Sequence, residues 1–125
     1  MEPRPLLIVD GANVVGSRPD GWWRDRAGAA ARLRDALVPV AETGVPPELP
    51  QPVEVVLVVE GAARDVPAVP GVDVVAAPGS GDDTVVDLVA AAPDRRRVVV
   101  TADRELRARV GALGAEVHGP RWLGR

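Results

Sequence analysis

Short runs of aliphatic and β-branched residues alternate along the chain with longer stretches of helical periodicity. Continuous apolar runs of this length are typical of strands that are buried on both faces of a sheet. They predict five strands, at Leu6–Val9, Val53–Val59, Val72–Ala76, Arg97–Val100 and Ala115–His118. Because helices separate most of these strands, the pattern predicts a parallel, doubly wound α/β sheet in a single domain over residues 1–125.

Three stretches have the periodicity of helices. They run from about Trp22 to Ala41, from Asp82 to Ala92 and from Leu106 to Leu113. Pro39 lies inside the first of them and is expected to kink that helix or to end it early. Gly114 is predicted to follow the last helix as its C′ residue. The segment Gly44–Pro52, which holds four prolines in nine residues, is predicted to be a loop.

Composition narrows the chemistry that this fold can carry. All 15 basic residues are arginine, which argues against P-loop nucleotide hydrolysis, Schiff-base chemistry and phospho-aspartyl sites. The absence of cysteine excludes disulfides and thiolate zinc sites, and a net charge of −3 argues against a broadly basic nucleic-acid binder. With no secretory signal and no apolar run near the roughly 20 residues of a membrane span, we expect a cytoplasmic protein without a membrane partner.

Acidic and amide side chains stand directly after the predicted strands, where open α/β sheets bind their ligands. These residues are Asp10, Asn13, Glu60 and Asp103. Structural alternatives exist, because Asp10-Gly11 is a common turn pair and Asp103 can be a helix N-cap. An aspartate is also expensive to bury alone, so a ligand or catalytic role at the strand tip is the competing interpretation of Asp10.

The second helix carries further acids. Ser80 and Asp83 fit a capping box, which is the structural interpretation. The helix is otherwise apolar nearly all round, and Asp83 and Asp87 share one face. Two carboxylates about 4 Å apart repel by roughly 4 kcal/mol at an effective dielectric near 20, so several acids in one crevice need a cation. An all-oxygen ligand set favours Mg²⁺ or Mn²⁺ over Zn²⁺, and phosphodiester hydrolysis is the natural chemistry of such a cluster.

Three short motifs occur in order along the chain. They are Val9-Asp10-Gly11-Ala12-Asn13-Val14-Val15, the stretch Asp82-Asp83-x-x-x-Asp87, and Val100-Thr101-Ala102-Asp103. Together they resemble the NYN branch of the PIN-like ribonucleases. The resemblance implies a three-layer PIN-like fold with a mostly parallel sheet of order 3-2-1-4-5. It also implies metal-dependent endonucleolytic cleavage of RNA, with 5′-phosphate and 3′-hydroxyl ends on the products.

Site residues follow from the resemblance by position. The catalytic residues it implies are Asp10, Asn13, Asp83 and Asp103. The metal ligands for Mg²⁺ or Mn²⁺ are drawn from Asp10, Asp82, Asp83, Asp87 and Asp103, where Asp87 enters through its helical spacing. Two adjacent aspartates leave the choice between Asp82 and Asp83 open.

Candidate contacts to RNA lie mainly after the first motif. Arginine suits phosphate because its fork is planar and bidentate, and a base can stack on tryptophan. The predicted substrate-binding residues are Arg18, Trp22, Arg24, Ser80 and Arg104. As an alternative, one residue of the Trp22-Trp23 pair attaches the first helix to the sheet. Arg95–Arg97 are predicted to form a solvated loop at the opposite end of the sheet.

Two classes of function compete for this chain. The first is a metal-dependent endoribonuclease with RNA as its substrate, and the second is a catalytically inactive PIN-like module that binds RNA or protein. Domains with an aspartate nucleophile are disfavoured by the missing lysine, and a Rossmann domain by the missing G-x-G-x-x-G after the first strand. The sequence leaves a homodimer open as a further partner.

Overall fold

The computed structural model describes residues 4–50 and 52–124. Its strands are β1 (Leu6–Asp10), β2 (Gly44–Val45), β3 (Leu49–Pro50), β4 (Glu54–Val59), β5 (Val72–Ala76), β6 (Arg97–Val100) and β7 (Glu116–His118). Its α-helices are α1 (Gly11–Gly16), α2 (Arg26–Thr43), α3 (Gly81–Ala90) and α4 (Arg104–Ala112). Five strands form the main sheet in the order β5-β4-β1-β6-β7, with parallel pairing throughout. This confirms the predicted order 3-2-1-4-5.

Helices cover both faces of the sheet, because successive side chains of a strand point to opposite faces. Leu7 and Val9 of β1 pack in a cluster with Leu33 of α2. Ile8 of β1 packs in a second cluster with Val85 of α3, which also holds the buried side chains of α4. The predicted three-layer α/β architecture is therefore confirmed. None of the helices in the described part of the chain combines the length and the hydrophobicity that crossing a membrane requires.

Three local features differ from what the sequence led us to expect. Helix α1 directly follows β1, where no helix was predicted. Helix α2 continues through Pro39 to Thr43, so the alternative that Pro39 ends it early was wrong; Leu33 and Leu37 before the proline are buried in the core. The predicted loop Gly44–Pro52 contains β2 and β3, which pair in an antiparallel hairpin.

The prediction of a solvated loop at Arg95–Arg97 was wrong for Arg97, which is only 7% exposed. Its guanidinium donates to the carbonyl oxygens of Val89 at 2.8 Å, Leu113 at 2.8 Å and Arg95 at 3.1 Å. The first two carbonyls belong to the C-terminal ends of α3 and α4. A cation is favourable at such ends because their carbonyl groups lack helical donors. Arg97 therefore ties two helices to the sheet.

Candidate active site

The carboxyl ends of the parallel strands meet at one edge of the sheet. The strand order reverses at β1, because the chain first adds β4 and β5 on one side and then β6 and β7 on the other. Such a reversal leaves a crevice beyond the strand ends, where α/β proteins bind ligands. Asp10 ends β1 at this crevice, and Thr101–Asp103 follows β6 beside it. The structure thus brings the first and third motifs together.

A buried hydrogen-bond chain joins these two motifs. Asp10 is 4% exposed, and its Oδ2 accepts from the Thr101 hydroxyl at 2.9 Å. The Thr101 Oγ1 accepts in turn from the backbone N–H of Asp103 at 3.1 Å. Asn13 fixes the same loop from α1, because its Oδ1 accepts from the N–H of Ala102 at 2.8 Å. Thr101 belongs to the third motif, but the sequence alone predicted no role for it. The structure shows that its hydroxyl positions the Asp10 carboxylate.

Burial dominates the electrostatics of Asp10. Removal from water raises the pKa of its carboxyl, and the negative charges of Asp82 and Glu60 raise it further. The hydrogen bond from Thr101 and the backbone of Asn13 act in the opposite direction without cancelling the rise. A carboxyl with a raised pKa holds protons more strongly than an exposed one. Asp10 is therefore a candidate for proton transfer as well as for ligand binding.

Asp82 is the acid of α3 that faces the other carboxyls. Burial raises its pKa, and the charges of Asp103 and Glu60 add to the rise, while Arg109 opposes it. Its neighbour Asp83 is exposed and accepts from the Arg109 guanidinium at 3.0 Å.

Asp87, one turn after Asp83, is also exposed. The face shared by Asp83 and Asp87 is therefore solvated, and the roles inferred for these two residues stay predictions.

Asp103 has the structural role that competed with its functional one. Its Oδ1 accepts from the N–H of Leu106 at 3.0 Å, which caps the N-terminus of α4. The negative charge of Asp103 nevertheless adds to the rise in the pKa of Asp82 that burial causes. A carboxylate has two oxygens, so a cap formed by one leaves acceptor capacity on the other.

Glu60 was missing from the predicted site although it directly follows β4. Its Oε2 accepts from the N–H of Gly81 at 2.5 Å, which attaches the start of α3 to the end of β4. Its charge raises the pKa of both Asp10 and Asp82. The signal that could have identified it is its place after a buried strand, at the same sheet edge as Asp10. We refer below to Asp10, Glu60, Asp82 and Asp103 as the acidic cluster.

The acidic cluster has the donor chemistry of a hard divalent cation but not its geometry. All of its donors are carboxylate oxygens, and two of the four groups have pKa values raised by burial and, to a smaller extent, by their neighbours' charges. Within residues 4–50 and 52–124, however, no three acidic or histidine side chains lie close enough together to form a ready-made metal group. Ligation by several of these carboxylates would require them to come closer than they lie here.

Most of the predicted substrate contacts are exposed side chains. Arg18, Arg24 and Arg104 are exposed, and the Arg24 guanidinium lies 5.7 Å from the ring centre of Trp23. Ser80 caps α3, since its Oγ accepts from the N–H of Asp82 at 3.2 Å. The reciprocal half of the predicted capping box is wrong, because the Asp83 carboxylate bonds to Arg109 instead of turning back to the cap.

A pocket of about 370 Å³ borders the acidic cluster. Helix α1, the start of α2 and the chain after β4 form its walls. The lining residues are Gly11, Ala12, Val15, Trp22, Arg26, Ala30, Val59, Glu60, Gly61, Ala63 and Gly79. Glu60 belongs to both the pocket and the cluster. Trp22 is half-buried and packs against the core, as the structural alternative for one tryptophan predicted, while Trp23 is 55% exposed.

Comparison with known proteins identifies the fold. No family model and no curated protein matches the chain. Two crystal structures of Rae1 (YacP) from Bacillus subtilis, one of them of a variant, match with TM-scores of 0.73 and 0.72. The chain therefore shares its overall fold with Rae1. The match covers 96% of this chain and 72% and 71% of the Rae1 chains, at 19% and 21% identity, and it fits the PIN-like architecture expected from the sequence.

Proposed function

We propose that the protein is a metal-dependent endoribonuclease of the NYN type, with its active site at the acidic cluster. The observation that carries the proposal is the Asp10 carboxylate, buried at the switch point of the sheet and held by Thr101. Burying a charge there destabilises the fold, so a functional reason for it is required. The fold shared with Rae1, a ribonuclease, supports phosphodiester hydrolysis as that reason.

The residues divide the chemistry between them. One of the two carboxylates with raised pKa values, Asp10 or Asp82, accepts the single proton that the attacking water loses as its oxygen bonds to phosphorus. The bond between phosphorus and the ribose 3′ oxygen breaks, that oxygen takes a proton from solvent water and leaves as a 3′-hydroxyl, and the phosphate stays on the 5′ end of the other product. Asn13 and Thr101 are positioning residues, because they hold the loop after β6 against β1.

Mg²⁺ or Mn²⁺ would be held by carboxylates of the acidic cluster. When bound, such an ion neutralises the repulsion among the acids and the phosphate and lowers the pKa of water. Burial is the main cause of the raised pKa values of Asp10 and Asp82, and the charges of neighbouring acids add to the rise, which supports a cation at this position. RNA would reach the edge through the exposed Arg18, Arg24 and Arg104, whose guanidinium groups suit phosphate.

Cleavage of a 5′-labelled single-stranded RNA tests the metal dependence directly. We expect cleavage in Mg²⁺ or Mn²⁺, none in EDTA, and products with 5′-phosphate ends. Calorimetric titration with Mn²⁺ should give heat of binding for the wild type and little for Asp10→Asn, while Asp94→Asn, an exposed acid before β6, should bind as the wild type does. Undiminished cleavage in EDTA would contradict the metal dependence.

A catalytically inactive binding module remains the second candidate. The observation that favours it is the lack of a ready-made metal group among the described residues. This candidate predicts that RNA is bound without divalent ions and stays intact when Mg²⁺ or Mn²⁺ is added. Cleavage that depends on Asp10 excludes it.

A further inference from the structure

The proposed hydrolysis of RNA does not use the pocket beside the acidic cluster. At about 370 Å³ it falls within the size range of small-ligand sites. Its largest wall residue is Trp22, and the Arg26 guanidinium carbon lies 5.2 Å from the centre of the Trp22 ring. An indole ring and a guanidinium group are both flat groups on which nucleobases stack.

The rim of this pocket suits a planar ligand with hydrogen-bond donors. Gly61 and Gly79 contribute no side chains to it, and a Cβ at either would meet nothing within 4 Å, so a flat molecule can approach the backbone there closely. Glu60 supplies the pocket with a carboxylate, and its own position is fixed by the N–H of Gly81. A carboxylate accepts from the N–H groups that bases present on their pairing edges. The walls and the rim therefore match one base better than an apolar molecule.

We propose that this pocket binds one unstacked base of the RNA, adjacent to the phosphate that is cleaved. The inference rests on the proposed function and extends it to a substrate class. Because Glu60 belongs to both sites, a base in the pocket places its own backbone next to the acidic cluster. A base can enter only by leaving its stack, so single strands and loops are bound in preference to continuous duplexes.

The test uses a short single-stranded RNA that contains one 2-aminopurine, whose fluorescence falls when it stacks. Binding is measured in EDTA, so the result does not depend on metal or on cleavage. We expect Trp22→Leu to weaken binding by about 5- to 150-fold, the range for losing one stacked base, and to abolish the quench. Trp23→Leu is the matched control, because Trp23 is exposed and does not line the pocket, and it should keep the quench.

A second pair of variants covers the case in which Trp22→Leu fails to fold. Arg26→Gln removes the stacked guanidinium from an exposed position and should weaken binding by about 2- to 5-fold. Arg32→Gln makes the same charge change further along α2, at an exposed position outside the pocket, and should leave binding unchanged. A fully paired version of the probe should bind more weakly than the single strand to the wild-type protein.

The outcomes separate this inference from the proposed function. If the wild-type protein cleaves RNA but Trp22→Leu and Arg26→Gln bind the probe like their controls, the base pocket is wrong and the ribonuclease stands. If the wild type neither binds nor cleaves RNA, both fail. Equal binding of paired and single-stranded probes also overturns the base pocket.

Discussion

The hydroxyl of Thr101 offers a sharp test of how the site is built. Thr101→Val keeps the shape of the fully buried side chain and removes only its hydrogen bonds. The Asp10 carboxylate loses a donor at 2.9 Å, and the N–H of Asp103 loses an acceptor at 3.1 Å. Thr101→Ser retains the hydroxyl and is the matched control.

The magnitude follows from the charge on Asp10. A hydrogen bond to a charged group contributes about 1.5–3 kcal/mol and a neutral one about 1 kcal/mol. At pH 7 both bonds are lost, one of them charged, so the free energy of unfolding should fall by about 3 kcal/mol. At pH 3, below the ordinary Asp pKa of 3.8, Asp10 is protonated and both bonds are neutral, so the loss should shrink to about 2 kcal/mol or less.

Urea unfolding at the two pH values measures this difference. The Thr101 hydroxyl lowers the pKa of Asp10, so its removal should raise that pKa further and move the acid limb of the cleavage profile to higher pH. Thr101→Ser should lose less stability than Thr101→Val and keep the wild-type pH profile. An equal loss at pH 7 and pH 3, or an unshifted profile, would refute the proposed role of Thr101.

Three further predictions concern stability. Gly11→Ala should destabilise the fold by about 1–3 kcal/mol in urea unfolding, because a Cβ there would overlap the carbonyl oxygen of Val58 in β4. Arg97→Lys keeps the charge but loses the fork that reaches several carbonyls, so the melting temperature should fall by an amount equivalent to about 3 kcal/mol. The pKa of Asp10 is raised in the folded protein, so ionisation of Asp10 destabilises the fold as the pH rises above 3.8, the ordinary pKa of an aspartate. Asp10→Asn should therefore be more stable than the wild type at pH 7. It should lose that advantage below about pH 4.

Each of these has its control. Gly79→Ala adds a Cβ that meets nothing within 4 Å, and equal effects at Gly11 and Gly79 would contradict the close approach of α1 to β4. Arg32→Lys is an exposed change on α2, and an equal loss there would contradict the role of Arg97. An Asp10→Asn protein less stable than wild type at pH 7 would contradict the electrostatic strain at Asp10.

The sheet could be predicted from sequence because its central strands are buried on both faces. Their continuous apolar runs stand out against the helical periodicity, and the strand order followed from the family resemblance. Helix α1 could not be predicted, because six residues are too few to show periodicity. What fixes it is a tertiary contact, the packing of Gly11 against β4. The burial of Arg97 also depends on tertiary contacts, since the carbonyl groups that accept its hydrogen bonds come from two different helices.

The placement of a candidate site residue was predictable where the end of a strand decides its position. Asp10 and Asn13 follow the first strand and Asp103 the fourth predicted one, and the structure brings their loops together. Asp82 and Asp83 could not be separated, because neighbours on a helix face directions about 100° apart and only the docking of α3 decides between them. Glu60 was recognised as a strand-end acid, but its link to α3 depends on a contact 21 residues away in sequence.

The most direct test of the central claim is the single-turnover rate of RNA cleavage for the wild type, Asp10→Asn and Asp82→Asn in Mn²⁺. The account predicts that each substitution lowers the rate by at least about 100-fold, while Asp94→Asn, at the far end of the sheet, cleaves at the wild-type rate. Cleavage by Asp10→Asn and Asp82→Asn at the rate of Asp94→Asn would contradict an active site at the acidic cluster.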